Sequence, residues 1–169
     1  MAIMNSLRTT ALVSITAAAT TLLIQACGGG GAVAQSSSSD TDTIEGVWES
    51  TITSKDCSSG AVLGQPFKAL LVFRRGGTVD VDNAMGRTMR GNIYGIWVHN
   101  ASTSYTTNVV HQRFNEDGTY AGINKIQRSL TLSADAAGFT SNLTVQVFDT
   151  TGAMVGQACP TEVATRMAL

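Results

Sequence analysis

Apolar and polar residues alternate along much of the chain beyond residue 44, and a period of two is typical of half-buried β-strands. In "TVDVD", for example, both valines lie on one face of the predicted strand and both aspartates lie on the other. Eight segments are interpreted as strands; the last, "CPTEVATRMAL", also fits a short helix beginning at Thr161, but we expect a strand there. The predicted strands are residues 46–53, 67–73, 78–82, 91–100, 104–114, 123–133, 139–148 and 159–169.

Short stretches that contain glycine separate several of these segments. They are "RRGG" (74–77), "NEDGT" (115–119), "SADAAG" (133–138) and "DTTG" (149–152), and glycine adopts a positive φ at little cost. About eight short strands with short connections favour an all-β fold, a single antiparallel up-and-down β-barrel, because closure removes exposed strand edges. The interior of such a barrel is either filled by side chains or able to hold one small ligand.

The first residues have the pattern of a secretory leader. Arg8 is the only charged residue before Asp40, and an apolar run from Thr9 to Ile24 follows it. A short charged start and an apolar stretch are typical of a signal peptide. The run is too short and too rich in Ala and Thr for a membrane span, which needs about 20 strongly apolar residues. We therefore expect an exported protein.

The apolar run ends in "IQAC", residues 24–27, which resembles the bacterial lipobox: an aliphatic residue at −3, a small residue at −1, and then cysteine. The resemblance implies a signal peptide of residues 1–26, cleaved before Cys27, and a diacylglycerol on the Cys27 thiol. Two or more acyl chains anchor a protein stably, at about 0.8 kcal/mol per buried methylene. Residues 27–43, with four glycines and "QSSSSDTDT", are predicted to form a flexible linker.

A second site for cleavage remains open. The tripeptide "AVA", residues 32–34, suits signal peptidase I, and cleavage there would release a soluble protein beginning at Gln35. We favour the lipidated form because "AVA" lies too far from the apolar run. The resemblance to lipoproteins then implies a lipid-anchored protein of the bacterial cell envelope. The glycine after Cys27 implies the outer membrane by analogy, with the domain facing the periplasm or the cell surface.

Composition limits the possible partners. Loss of Arg8 with the leader leaves ten basic and twelve acidic residues, a net charge of −2. This balance suggests no basic face, so we do not expect the protein to bind nucleic acid. Residues 44–169 are enough for one domain with one core. No repeat, second linker or membrane-length apolar run follows residue 27. The predicted organisation is therefore a leader, a linker and one β-barrel domain.

Two cysteines remain if Cys27 carries lipid, and export would place both in an oxidising compartment. Cys57 and Cys159 have only one way to pair. A disulfide between them would join the start of the domain to its end, closing about 100 residues. We expect this disulfide, with two buried free thiols as the alternative.

The first and last predicted strands resemble the calycin superfamily of lipocalin, fatty-acid-binding and avidin-like barrels. "GVW", residues 46–48, opens the first strand, and Arg166 lies near the end of the last. In lipocalins a G-x-W on the first strand closes one end of the barrel, and an arginine of the final strand stacks on the tryptophan. The resemblance therefore implies a barrel-closing pair, Trp48 and Arg166, with a structural role.

The mature chain also resembles small uncharacterised exported bacterial proteins, over roughly residues 44–166. The shared features are a tryptophan in the first strand, a "DC", an "F-x-x-GG-T", a "G-x-W" and a late cysteine. In this chain they are Trp48, Cys57 with the preceding aspartate, "FRRGGT", "GIW" and Cys159.

The sequence contains no recognisable catalytic or metal-binding motif, so we assign no catalytic residue, no metal ligand and no cofactor. His99 and His111 could face one cavity from neighbouring strands, near Tyr105 and Glu116, but two half-exposed strand residues are the simpler interpretation. "DVDN" at residues 80–83 lacks the remaining ligands of a calcium loop.

We expect one of two classes of function. The first is a carrier that binds a small apolar ligand in the barrel, and the second is a non-catalytic interaction or structural module that meets other envelope proteins. A small-barrel enzyme is a third class, but no residue pattern favours it. Large inward side chains in every layer of the barrel would argue against the carrier.

Overall fold

A computed structural model describes residues 43–84 and 89–168 of the chain. The predicted signal peptide, Cys27 and the alternative cleavage site before Gln35 lie outside the described residues, as does the predicted linker except for Thr43. Within the described residues there is no α-helix, and accordingly no helix long and apolar enough to cross a membrane.

The described chain is all β, as the alternation predicts. Each predicted strand corresponds to an observed one, and one short strand is added before the last. The strands are β1 (Gly46–Thr53), β2 (Phe67–Arg74), β3 (Thr78–Asn83), β4 (Ile93–Ala101), β5 (Ser104–Phe114), β6 (Tyr120–Leu132), β7 (Gly138–Phe148), β8 (Met154–Ala158) and β9 (Thr161–Arg166).

The strands form one closed antiparallel barrel. β1 to β7 pair with their neighbours in chain order, and β9 closes the ring by pairing with both β7 and β1. The short strand β8 pairs with β7 beyond the point where β9 begins, at Thr161. The up-and-down barrel of about eight strands predicted from the sequence is therefore confirmed, and its architecture is consistent with a calycin-like barrel.

β8 and β9 together serve as one interrupted strand. Val145 lies opposite Ala158 and Asn142 lies opposite Thr161, so both segments keep the same register on β7. Pro160 has no N–H to donate to the ladder, but its carbonyl still accepts a bond from the Leu143 N–H at 2.9 Å. The added strand is thus an extension of the eighth strand past Cys159 and Pro160.

One end of the barrel is filled by aromatic side chains. Trp48 packs on Phe139, with 5.0 Å between ring centroids, and Phe139 in turn contacts Phe73 at 6.3 Å. The chain of rings continues from Phe73 through Trp97 to Tyr105, at 6.4 and 5.9 Å. We call this the closed end. Because β1 begins here and ends at Thr53 on the opposite side, the other end of the barrel is its mouth.

Candidate functional site

A cavity of about 520 Å³ lies at the mouth of the barrel. It is bounded by inward side chains from the mouth-side halves of the strands and by residues of the loops that join them. The aromatic contacts of the closed end lie at the opposite end of the barrel, and we call the cavity at the mouth the cup.

One side of this cup, which we call the apolar wall, comes from β7, β8, β1 and β2. Alternation along each strand turns every second side chain inward, and on these strands the inward residues next to the cavity are apolar. The apolar wall consists of Ile52, Phe67, Leu143, Val145, Ala158 and Pro160.

The polar side chains of the lining come from β5 and β6, and we call this part the polar wall, although Val109 and Ile126 of the same two strands also line the cavity. His111 and Arg113 of β5 line the cavity together with Asn124 and Arg128 of β6. His111 lies directly opposite Asn124 in the ladder, and Arg113 lies opposite Gly122. Arg128 pairs directly with Leu143 across the β6–β7 ladder, so polar and apolar side chains lie side by side around the cavity.

A buried ion pair lies at the inner end of the polar wall, where Arg128 lines the cavity. Arg128 and Glu162 are 2% and 1% exposed, and the Arg128 Nε donates to Glu162 Oε2 at 2.6 Å. Arg128 Nη1 also donates to the Thr107 hydroxyl at 3.0 Å, and the Ser141 hydroxyl donates to Glu162 Oε2 at 2.7 Å. The second carboxylate oxygen, Oε1, is buried without a hydrogen-bond partner. The pair cancels its own charge and leaves this part of the cavity neutral.

His111 holds one tautomer at the side of the cavity. Its Nδ1 lies 3.0 Å from the backbone carbonyl of Gln112, so Nδ1 carries the proton and donates it. Its Nε2 then accepts from the Asn124 side-chain amide at 3.2 Å, and Asn124 Oδ1 is buried without a partner. Burial lowers the pKa of His111, and the positive charges of Arg90 and Arg113 lower it further. The imidazole is therefore held in its neutral form.

Two arginines give the mouth its positive charge. Arg90 is anchored, since its Nη2 donates to the Asp82 carboxylate at 2.6 Å and to the Asn83 carbonyl. Arg113 makes no salt bridge within the described residues; its Nη1 lies 3.5 Å from the carbonyls of Ala121 and Phe148. Among the described residues that line the mouth, Arg113 is the arginine that makes no salt bridge, and Glu116 is the carboxylate that shares the cavity with it.

Gly122, the glycine opposite Arg113, allows β6 and the end of β7 to approach each other closely. Gly122 has a φ of +111°, and a Cβ there would lie 2.1 Å from the carbonyl oxygen of Phe148. The register between β5 and β6 shifts at the same level, between Arg113 and Phe114. This bulge brings the end of β7 within reach of the Arg113 guanidinium.

The two residues expected to close the barrel are neighbours in the structure. The Arg166 guanidinium carbon lies 4.3 Å from the centroid of the Trp48 ring, at the end opposite the cavity. The predicted disulfide is confirmed: Cys57 and Cys159 are bonded, with 4.9 Å between their Cα atoms. It ties the β1–β2 loop to the break between β8 and β9, beside the mouth.

The suggestion that both histidines face one cavity is wrong. His99 stacks on Tyr105 near the closed end, with 4.6 Å between the ring centroids, whereas His111 and Glu116 line the mouth. The two carboxylates of "DVDN" form salt bridges with arginines: Asp80 pairs with Arg74 at 2.6 Å, and Asp82 pairs with Arg90. Over the described residues, no cluster of three His, Cys, Asp or Glu side chains could hold a metal ion.

No role was predicted for Arg128 and Glu162, although the sequence shows one sign of their pairing. Arg128 shares the face of β6 that carries Ile126, Leu130 and Leu132, so a charge stands on an otherwise mostly apolar face. A charge on a core face needs a partner, but nothing in the sequence says that the partner lies 34 residues away on β9.

No protein-family model and no curated protein matches this chain.

Proposed function

We propose that this protein is a binding protein that takes a small, largely apolar ligand into the mouth of its barrel. The observation that carries the proposal is the cavity of about 520 Å³, lined on one side by the apolar wall. A drug-sized ligand occupies a pocket of about 300–1,000 Å³.

A neutral fluorescent probe tests this proposal directly. N-phenyl-1-naphthylamine has no charge at neutral pH and fluoresces strongly in apolar surroundings, so it reports occupation of the apolar wall. We expect saturable binding at one site per chain. Absence of a saturable signal with the folded full chain would contradict the carrier.

A pair of matched variants locates the binding site. Ala158→Phe places a ring inside the cup, because Ala158 lines the cavity opposite Val145. Gln157→Phe places the same ring on the outer face one residue away, where Gln157 is exposed. We expect the first variant to lose probe binding at least tenfold and the second to keep it. Equal binding by both variants would place the probe outside the barrel.

The envelope address is part of the proposal. Export and lipid attachment at Cys27 rest on "IQAC" and the apolar run before it. A tethered carrier would collect or deliver its ligand next to the membrane. Expression of Cys27→Ser beside the unchanged chain in a bacterial host tests the address: we expect the variant to leave the membrane fraction. Recovery of the unchanged chain as a soluble protein beginning at Gln35 would contradict it.

A non-catalytic interaction module is the second candidate function. It is favoured by an apolar strip on the outside of β4, where Tyr94, Ile96 and Val98 are each more than half exposed. Val110 of β5 lies beside Tyr94 and extends the strip. Cross-linking in the envelope of a producing cell, from a photoreactive residue at position 96, would test it. Specific adducts with other envelope proteins would support this role, and adducts with none would count against it.

A further inference from the structure

The polar wall of the cavity carries more positive charge than an apolar ligand requires. Among the described residues that line the cavity, Arg90, Arg113 and Arg128 are basic and Glu116 is acidic. Arg128 is neutralised by Glu162, and Arg90 is paired with Asp82. Among the described lining residues, Arg113 is thus the arginine without a salt bridge, and it faces whatever enters the mouth. A guanidinium presents its donors in a fixed fork that fits a carboxylate or a phosphate.

His111 and Asn124 form a second polar element beside Arg113. In the neutral tautomer His111 Nε2 accepts from the Asn124 amide nitrogen, which leaves Asn124 Oδ1 buried without a partner. A proton on His111 Nε2 turns that atom into a donor, so the amide must rotate by about half a turn to present Oδ1 to it. Rotation gives Oδ1 the hydrogen bond it lacks and exposes the amide N–H groups in its place. The pair therefore has two complementary hydrogen-bonded arrangements.

We propose that the polar wall binds the anionic group of the ligand, a carboxylate or a phosphate, against Arg113 and His111, and that a proton from solvent joins His111 Nε2 when the anion binds. The inference rests on the proposed function, since it assigns the polar end of the ligand whose apolar body lies on the apolar wall. The anion supplies the negative charge that the imidazolium needs beside Arg113.

The groups that face His111 agree with this coupling. Arg90, from the segment before β4, and Arg113, on β5 itself, both oppose a positive imidazole. Glu116, in the β5–β6 loop, is exposed to solvent and so strongly screened. The side chains that β4 and β7 place on the cavity are not ionisable. They are Ile93, Leu143 and Val145.

The sign of the coupling follows from these charges. Without a ligand, burial and the arginines lower the pKa of His111 and keep the imidazole neutral near pH 7. A bound anion raises that pKa, because it attracts the imidazolium and offsets both guanidinium groups. By linkage, binding takes up a proton, and the affinity for an anionic ligand falls as the pH rises through the pKa of the bound form.

Three probes of equal chain length separate the anion from the apolar body: decanoate, decan-1-ol and decyltrimethylammonium. Their binding to the full chain with Cys27→Ser is measured by calorimetry at pH 6.5, in two buffers of different ionisation enthalpy. We expect decanoate to bind at least tenfold more tightly than decan-1-ol and the cation to bind weakest. A buffer-dependent enthalpy should show net proton uptake with decanoate and none with decan-1-ol.

Three variants assign the effect to residues. Arg113→Ala should weaken decanoate at least tenfold while changing decan-1-ol less than twofold, and Arg75→Ala, an exposed arginine at the closed end, should change neither. His111→Gln should abolish proton uptake, because glutamine cannot take a proton at this pH. The chain has only two histidines, so NMR titration of the imidazole signals gives the His111 pKa with and without decanoate.

The outcomes separate this inference from the proposed function. Equal affinity for decanoate and decan-1-ol would overturn the anion site and leave the apolar carrier standing. Tighter binding of decanoate without proton uptake, or with an unchanged His111 pKa, would overturn the coupling. No saturable binding of any decyl probe or of N-phenyl-1-naphthylamine would overturn the carrier itself.

Discussion

Arg166 lies over the indole of Trp48, with 4.3 Å from the guanidinium carbon to the ring centroid, and joins the end of the last strand to the start of the first. The contact is more than a stack. Arg166 Nε donates to the Ala136 carbonyl at 2.8 Å, and its terminal nitrogens donate to the carbonyls of Glu45 and Thr43. The same guanidinium therefore holds the turn between β6 and β7 and the segment before β1 against the closed end.

Trp48 and Arg166 should contribute unequally to stability. Trp48 is fully buried, so Trp48→Ala is expected to cost about 3–5 kcal/mol of unfolding free energy through the cavity it leaves. Arg166→Ala removes a cation–π contact of about 0.5–2 kcal/mol together with its hydrogen bonds to carbonyls, for about 2–4 kcal/mol in all. Chemical denaturation of both variants measures these costs.

A double-mutant cycle isolates the coupling between the two residues from the cavity term. Arg166→Lys is the matched control, because it keeps the positive charge and loses the fork that reaches several carbonyls. We expect Arg166→Lys to recover only part of the loss. A coupling energy indistinguishable from zero would mean that the stacked pair does not hold the closed end.

The inward positions at the closed end could be predicted from local alternation, whereas the pairing of Trp48 with Arg166 was implied by the resemblance to calycin barrels. Alternation fixes which side chains of β1 and β7 turn inward, so the inward positions of Trp48 and Phe139 follow from the pattern alone. The short strand β8 was missed because its apolar residues, Met154 and Val155, are adjacent and show no alternation. It is held by the register that β9 sets on β7.

The residues of the mouth were harder to predict from the sequence, because their position depends on distances along the strands. His99 and His111 occupy inward positions of β4 and β5, which suggested one site. His99 pairs with Tyr105 next to the β4–β5 turn, and His111 lies six residues further along β5, about 20 Å away at 3.4 Å per residue. Parity assigns a residue to a face, but only the length of the hairpin assigns it to an end of the barrel.

The Cys57–Cys159 disulfide should contribute substantially to stability. The bonded residues are 102 apart in sequence, and a loop of that length reduces the entropy of the unfolded chain by an amount worth up to about 4.7 kcal/mol. We expect the double variant Cys57→Ser/Cys159→Ser to lose about 2–5 kcal/mol. Denaturation with and without a reductant measures the loss, and intact mass reports the bond. Equal stability of the oxidised and reduced chain would show that the folded barrel gains nothing from the bridge.

The buried pair of Arg128 and Glu162 should be costly to break and inexpensive to replace. Removal of one partner leaves an unpaired charge inside the barrel, at a cost of about 3–5 kcal/mol. Glu162→Gln and Arg128→Met should each show such a loss in chemical denaturation. The double variant Arg128→Met/Glu162→Gln removes both charges, so it should be more stable than Arg128→Met alone. If the two losses simply add, the ion pair is not coupled.

His111 should make the barrel less stable in acid. Its pKa is lowered in the folded state by burial and by Arg90 and Arg113, so the unfolded chain takes up a proton first as the pH falls. Stability is therefore unaffected by this group well above pH 6.5, its ordinary pKa, and decreases as the pH drops through 6.5 toward the lowered value. His111→Gln removes the titrating group and should flatten the dependence of unfolding free energy on pH between 7.5 and 5.5. A slope that His111→Gln leaves intact would mean that the imidazole is protonated as readily in the barrel as in the unfolded chain.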